Sequence, residues 1–160
     1  VIFVAVGTHP QPFDRLLRAV DAAAACCGER VVVQRGATTL PLPACEVVDV
    51  LAPEALREHL ATARRVVLHG GSSLVLEATA LGRVPLVVPR RRRFGEHVDD
   101  HQVEFVASLP AGEVHVCEPE ALAALLASWD EPRRAPRDRG ERFARRLGEA
   151  VDALVARRRR

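Results

Sequence analysis

Residues 1–6, Val-Ile-Phe-Val-Ala-Val, are apolar without a break, the pattern of an interior strand in a parallel sheet covered on both faces. Further short runs rich in valine follow at 30–34, 46–50, 66–68 and 84–88, with a sixth at 113–116. Between them the apolar positions change to helical spacing. Leu16, Leu17, Val20 and Ala24 mark one face, Leu56 and Leu60 a second, and Leu74, Leu76, Ala78 and Leu81 a third. Val103, Val106 and Leu109 form a fourth, and Leu122, Leu125 and Leu126 a fifth. The spacing predicts helices from near Phe13 to Gly28, from Pro53, over 72–81 and 101–109, and from Pro119. Strands that alternate with helices predict an α/β fold of three layers, a mostly parallel six-stranded sheet with right-handed crossovers. A Pro/Arg-rich break at 130–136 divides the chain into a body, 1–131, and a linker with a C-terminal helix, 132–160. That helix runs from Asp138 and carries Phe143, Leu147, Val151, Leu154 and Val155.

Charge follows the same division. Residues 132–160 hold eleven arginines against four acids, and residues 1–131 hold twelve against seventeen. The basic run reads first as a solvated helix end, with a partner or an anionic surface as the alternative. Aromatics are five Phe, one Trp and no Tyr, too few for a base-stacking platform, so nucleic acid is not an expected partner. The chain contains no lysine, which excludes both a Walker lysine and a Schiff base. Cys26, Cys27, Cys45 and Cys117 show neither CxxC nor zinc spacing and read as reduced thiols of a cytoplasmic protein. No signal peptide or membrane span is apparent, and because Val1 already lies in a strand, at most an initiator residue is expected to be missing.

In a parallel sheet, ligands bind at the carboxyl ends of the strands, near the reversal of strand order. Three polar loops fall there: 7–12, 69–73 and 89–101. The second carries the densest chemistry. Val66-Val67-Leu68 leads into His69-Gly70-Gly71-Ser72-Ser73 and then a helix, so backbone N–H groups face an anion-sized space. Glu77 stands about one turn inside and can accept ribose or sugar hydroxyls. Ser72 and Ser73 fit an N-cap, a role compatible with phosphate binding. His69 can donate to phosphate or orient the turn. Gly7 and Thr8 end the first strand, where Thr8 can meet phosphate or cap the next helix, and His9 is exposed by its setting. Arg90–Arg93 match phosphate, solvent or a partner. His97, Asp99, Asp100 and His101 superficially resemble a divalent-metal cluster, but HExxH and cysteine ligands are absent. Asp99 and Asp100 serve more simply as the cap of the next helix, so no metal and no cofactor are expected.

Taken together, VAVGTHPQPFDRLLRAV at 4–20, VVLHGGSSLVLEA at 66–78 and GRVPLVVPRRRRFGEHVDDHQVEF at 82–105 resemble the C-terminal, donor-binding domain of family 28 glycosyltransferases. The likeness is to the stand-alone form that serves as the small subunit of two-part N-acetylglucosaminyl and exopolysaccharide transferases. It covers most of residues 1–130. It implies a Rossmann-like domain equivalent to the C-terminal half of a GT-B enzyme, with a UDP-sugar as donor. It also implies that Gly70, Gly71, Ser72 and Ser73 lie against the diphosphate with Gly7, Thr8 and His69. Glu77 would take the ribose, His101 and Gln102 the phosphate or donor sugar, and the backbone near Val50 and Leu51 the uracil edge. A membrane-associated subunit would bind a lipid-linked or polysaccharide acceptor and supply the base, holding this chain at the cytoplasmic face. His101 is the one catalytic candidate in the chain, and a homodimer in isolation is allowed. Ser73 stands where many relatives have a second glycine, and Asp99-Asp100 where eukaryotic subunits have Asn-Asn. The rival reading is a nucleotide-sugar-binding or structural subunit without catalysis.

Overall fold

The computed structural model describes residues 1–135. Six strands, β1 (Ile2–Ala5), β2 (Val31–Gln34), β3 (Glu46–Val48), β4 (Arg65–His69), β5 (Leu86–Val88) and β6 (His115–Val116), form one sheet in the order β3-β2-β1-β4-β5-β6. Every pairing is parallel. All strands therefore end at one edge, and the order reverses between β1 and β4, opening a crevice between their carboxyl ends.

Five α-helices cover the sheet: α1 (Asp14–Cys27), α2 (Pro53–Thr62), α3 (Ser72–Ala80), α4 (His101–Ser108) and α5 (Leu122–Ser128). Alternation along β1 splits the core in two. Ile2, Val4 and Val6 pack with Leu16, Leu17, Val20, Leu122 and Leu126 under α1 and α5. Phe3 and Ala5 pack with Leu60, Leu74, Val75, Ala78 and Val106 under α2, α3 and α4. Each buried Leu, Val or Phe contributes about 1.5–3 kcal/mol relative to exposure. Helix α1 stops where Gly28 takes a left-handed conformation, φ 66°.

Several boundaries differ from the sequence reading. β3 ends at Val48 rather than at 50, because Leu51 N–H turns inward to Gln34 Oε1 (3.0 Å). β5 starts after Pro85, whose carbonyl accepts from His115 N–H instead. β6 is only two residues long, and α5 is preceded by a 3-10 turn, Pro119–Ala121.

The break at 130–136 is anchored where it is described. Glu131 is buried against Arg83, whose Nη2 lies 2.7 Å from Glu131 Oε2. Val66 N–H donates to the same carboxylate, and Arg83 also donates to the carbonyls of Leu60 and Ala63. Arg134 N–H donates to Gly82 O. The expected helix from Asp138, with Phe143 to Val155, lies outside the described residues. Among those described, no helix is long and apolar enough to cross a membrane.

Candidate functional site

A cleft of 610 Å³ opens at the crevice between β1 and β4. Gly7, Thr8, His9 and Pro10 line one side, and His69, Gly71, Ser72, Ser73, Leu74 and Glu77 the other. Gln34, Leu56, His101 and Gln102 complete the wall. The three loops expected to converge do so.

His69 is the wedge between the two glycine turns. The ring is 8% exposed, and its Nδ1 lies 3.3 Å from Ala5 O. A Cβ on Gly71 would fall 2.2 Å from His69 Nε2, and one on Gly7 2.7 Å. Gly7 also has φ +75°, so both glycines leave room that the imidazole already occupies. Burial, helped by the positive charge of Arg90, lowers the His69 pKa to about 4. A neutral ring that donates from Nδ1 to a carbonyl keeps Nε2 as an acceptor. His69 therefore orients the turns; it has no second proton to give a phosphate.

The sign of its titration follows. The unfolded chain takes up a proton near the ordinary histidine value of 6.5, and the folded chain resists until about 4. Stability carried by neutral His69 is thus present above pH 6.5 and lost as pH falls through that window. The loss amounts to roughly 3 kcal/mol when complete. Urea unfolding at pH 7 and pH 4.5 should show a smaller drop for His69→Asn than for the wild type; equal drops would contradict the wedge.

Helix α3 begins without a side-chain cap. Its N-cap residue is Gly71, extended at φ −71° and ψ 127°, so Ser72 and Ser73 sit inside the helix and not at the cap expected of them. The first N–H groups are left with no side-chain cap, and Gly71, Ser72 and Ser73 line the cleft. Glu77, one turn after Ser73, lines the same wall, with Arg57 Nη1 3.9 Å from its Oε1 at the outer side.

Gly70 is buried below the turn. A Cβ there would meet Gln102 Cβ at 3.0 Å and Pro89 Cβ at 3.1 Å, so this glycine permits close approach of α4. Gln102 Oε1 accepts Arg90 N–H (3.1 Å), which fixes the side chain at the cleft wall. Val50 stands outside the cleft, 62% exposed, and the neighbouring Leu51 amide is taken by Gln34. Gln34, Leu56 and Pro10 were not singled out from sequence. Gln34 carried the one available signal, a polar residue ending a Val-Val-Val run.

None of Arg90–Arg93 lines the cleft. Arg90 is 1% exposed and donates to the carbonyls of Val6, Gln11 and Glu96, with its guanidinium 4.7 Å above the Phe13 ring. Desolvation lowers its pKa to about 10. It ties the loop after β1 to the loop after β5. Arg91 pairs with Glu118, and Arg15 holds Glu96 at 2.7 and 3.0 Å. Thr8 does not cap α1, since Phe13 N–H goes to Thr38 Oγ1 at 2.8 Å. Asp100 is the N-cap residue of α4, yet its carboxylate accepts Arg92 N–H, while Asp99 Oδ1 accepts His101 N–H.

The family described as "Glycosyltransferase family 28 C-terminal domain" matches residues 1–141. Among solved structures, CalG4, the calicheamicin glycosyltransferase, is 25% identical with a TM-score of 0.60, over 98% of this chain and 43% of that one. MurG of Acinetobacter baumannii is 19% identical with a TM-score of 0.51, over 76% of this chain and 39% of that one. The chain spans less than half the length of either. No curated protein matches it.

Proposed function

As the chain belongs to the glycosyltransferase family 28 C-terminal domains, we propose that its cleft holds the UDP part of a UDP-sugar. The chain is then the donor half of a hexosyltransferase whose second subunit carries the acceptor. The observation that carries this reading is the uncapped start of α3 with Glu77 one turn further along the same wall. Amides and partial positive charge at a helix start suit a diphosphate, and they stabilise the charge that develops as it leaves. Ser72 and Ser73 add hydroxyls, Gly7 and Thr8 close the opposite side, and Glu77 accepts from the ribose hydroxyls. Leu56, which also lines the cleft, offers an apolar surface for the base plane. Among the described residues no arginine side chain lines the cleft, so of these residues the backbone amides carry most of the neutralisation.

In the transfer, an acceptor hydroxyl oxygen bonds to the anomeric carbon while the bond from that carbon to the diphosphate breaks, and the acceptor proton goes to a base. His101, on the cleft wall and touching Asp99, is the candidate this chain offers. The membrane-associated subunit otherwise supplies the base along with a lipid-linked or polysaccharide acceptor.

Calorimetry with UDP, UMP and ADP tests the donor reading. UDP should bind more tightly than UMP or ADP. Glu77→Gln should weaken UDP by roughly ten- to a hundredfold, the worth of a charged hydrogen bond. Unchanged affinity in that variant would remove Glu77 from the site.

A further inference from the structure

Beside the glycine turns, the loop between β5 and α4 folds alternate residues toward one point. His97, Asp99 and His101 each bring one potential ligand atom there, all within 4.8 Å of one another. We infer that these three residues form a site for one divalent cation of the zinc class.

The spacing of the ligand atoms is compatible with one shared cation. His97 Nδ1 lies 3.1 Å from Asp99 Oδ1, and His101 Nδ1 contacts the same oxygen. Two ligands of one tetrahedral zinc, each about 2.0–2.1 Å from the metal, lie about 3.3 Å apart. The His97–Asp99 pair is already at that spacing. The same His97 nitrogen also meets Asp99 N–H at 3.4 Å, so one atom faces both a donor and an acceptor. A protonated Nδ1 satisfies only the oxygen, and a bare Nδ1 satisfies only the amide.

The three residues differ in burial. His97 is buried and held against the His9 ring, centroids 4.3 Å apart. Asp99 and His101 are both more than half exposed, so solvent and a cation can reach them. Two imidazoles and one carboxylate favour Zn²⁺, Co²⁺ or Ni²⁺ over the oxygen-seeking Mg²⁺ and Ca²⁺. Three protein ligands leave a fourth position open. His101 and His9 both line the cleft, so a cation here would stand at its mouth. With Nδ1 on the cation each ring carries its proton on Nε2, so a cation-bound His101 does not act as the base and the partner subunit must supply it.

Titration of the untagged chain with Co²⁺, without nucleotide, tests the site independently of the donor reading. One equivalent should bind with the visible absorption of a nitrogen and oxygen site, and Zn²⁺ should displace it. Asp99→Asn and His101→Ala, both at exposed positions, should each weaken binding by about tenfold or more. Zn²⁺ should raise the thermal midpoint of the wild type and of neither variant. Asp100→Asn should titrate as wild type does, because that carboxylate serves Arg92 N–H. Absence of the visible band, a cysteine-to-metal charge-transfer band, or equal binding by wild type and both variants would overturn the assignment. Equal loss in Asp100→Asn would overturn it as well.

Discussion

Glu131→Ala is expected to cost the domain about 3–5 kcal/mol, because it leaves the Arg83 guanidinium charged, buried and without its carboxylate. Both side chains are almost wholly buried, at 0% and 1% exposure. Arg83 would keep the carbonyls of Leu60 and Ala63, which offer no compensating charge. Val66 N–H, at the start of β4, would lose its acceptor too. The double variant Arg83→Met/Glu131→Leu removes both charges and should recover most of the loss, since well-packed apolar replacements of buried ion pairs are often neutral. Urea denaturation of wild type, single and double variants provides the measurement. A single-variant loss below about 1 kcal/mol would mean that water or a rearranged side chain already satisfies Arg83. The pair lies at the amino ends of the strands, away from the cleft, so whatever folded protein remains should bind UDP as wild type does.

Next in size are Gly71→Ala and Gly7→Ala. Each methyl would enter space held by the His69 ring, at 2.2 and 2.7 Å, and that ring is pinned by Ala5 O. Overpacking of this kind costs about 1–3 kcal/mol. Gly7 adds the strain of a side chain at φ +75°, about 1–2 kcal/mol more. Either change shifts the turn that presents the α3 amides, and UDP affinity should fall by at least about tenfold, the effect of a displacement near 1 Å or less. Gly70→Ala meets its neighbours at 3.0 to 3.2 Å and should be milder. The decisive comparison is a double-mutant cycle. In a His69→Ala background the extra cost of Gly71→Ala should shrink, because the colliding ring is gone. An unchanged cost would place the constraint in the backbone instead of the imidazole.

Much of the fold was legible along the chain. All six strands and five helices among the described residues fall where the hydrophobic period changes, since a strand buried on both faces needs an unbroken apolar run and a covering helix needs only a stripe. The convergence of 7–12, 69–73 and 89–101 was legible for the same reason: parallel strands send every such loop to one edge. Residue types at the turn, His69 followed by two glycines and two serines, also marked where an anion could be held.

Other features depended on partners distant in sequence. Arg90 and Arg91, within a run of four, left phosphate, solvent and a partner open, yet Arg90 is consumed by carbonyls up to 84 residues away and Arg91 by Glu118. Ser72 looked like a cap until Gly71 took that backbone conformation. Gln34 joined the cleft because the chain after β3 turned back onto it.

The sequence by itself determined the order and type of the elements, and so the edge on which a site could form, because periodicity and turn chemistry act between near neighbours. Only the tertiary structure decided which polar groups remain free to meet a ligand. A buried donor or acceptor must find a partner, and which one it finds is set by packing between segments that the chain order leaves far apart.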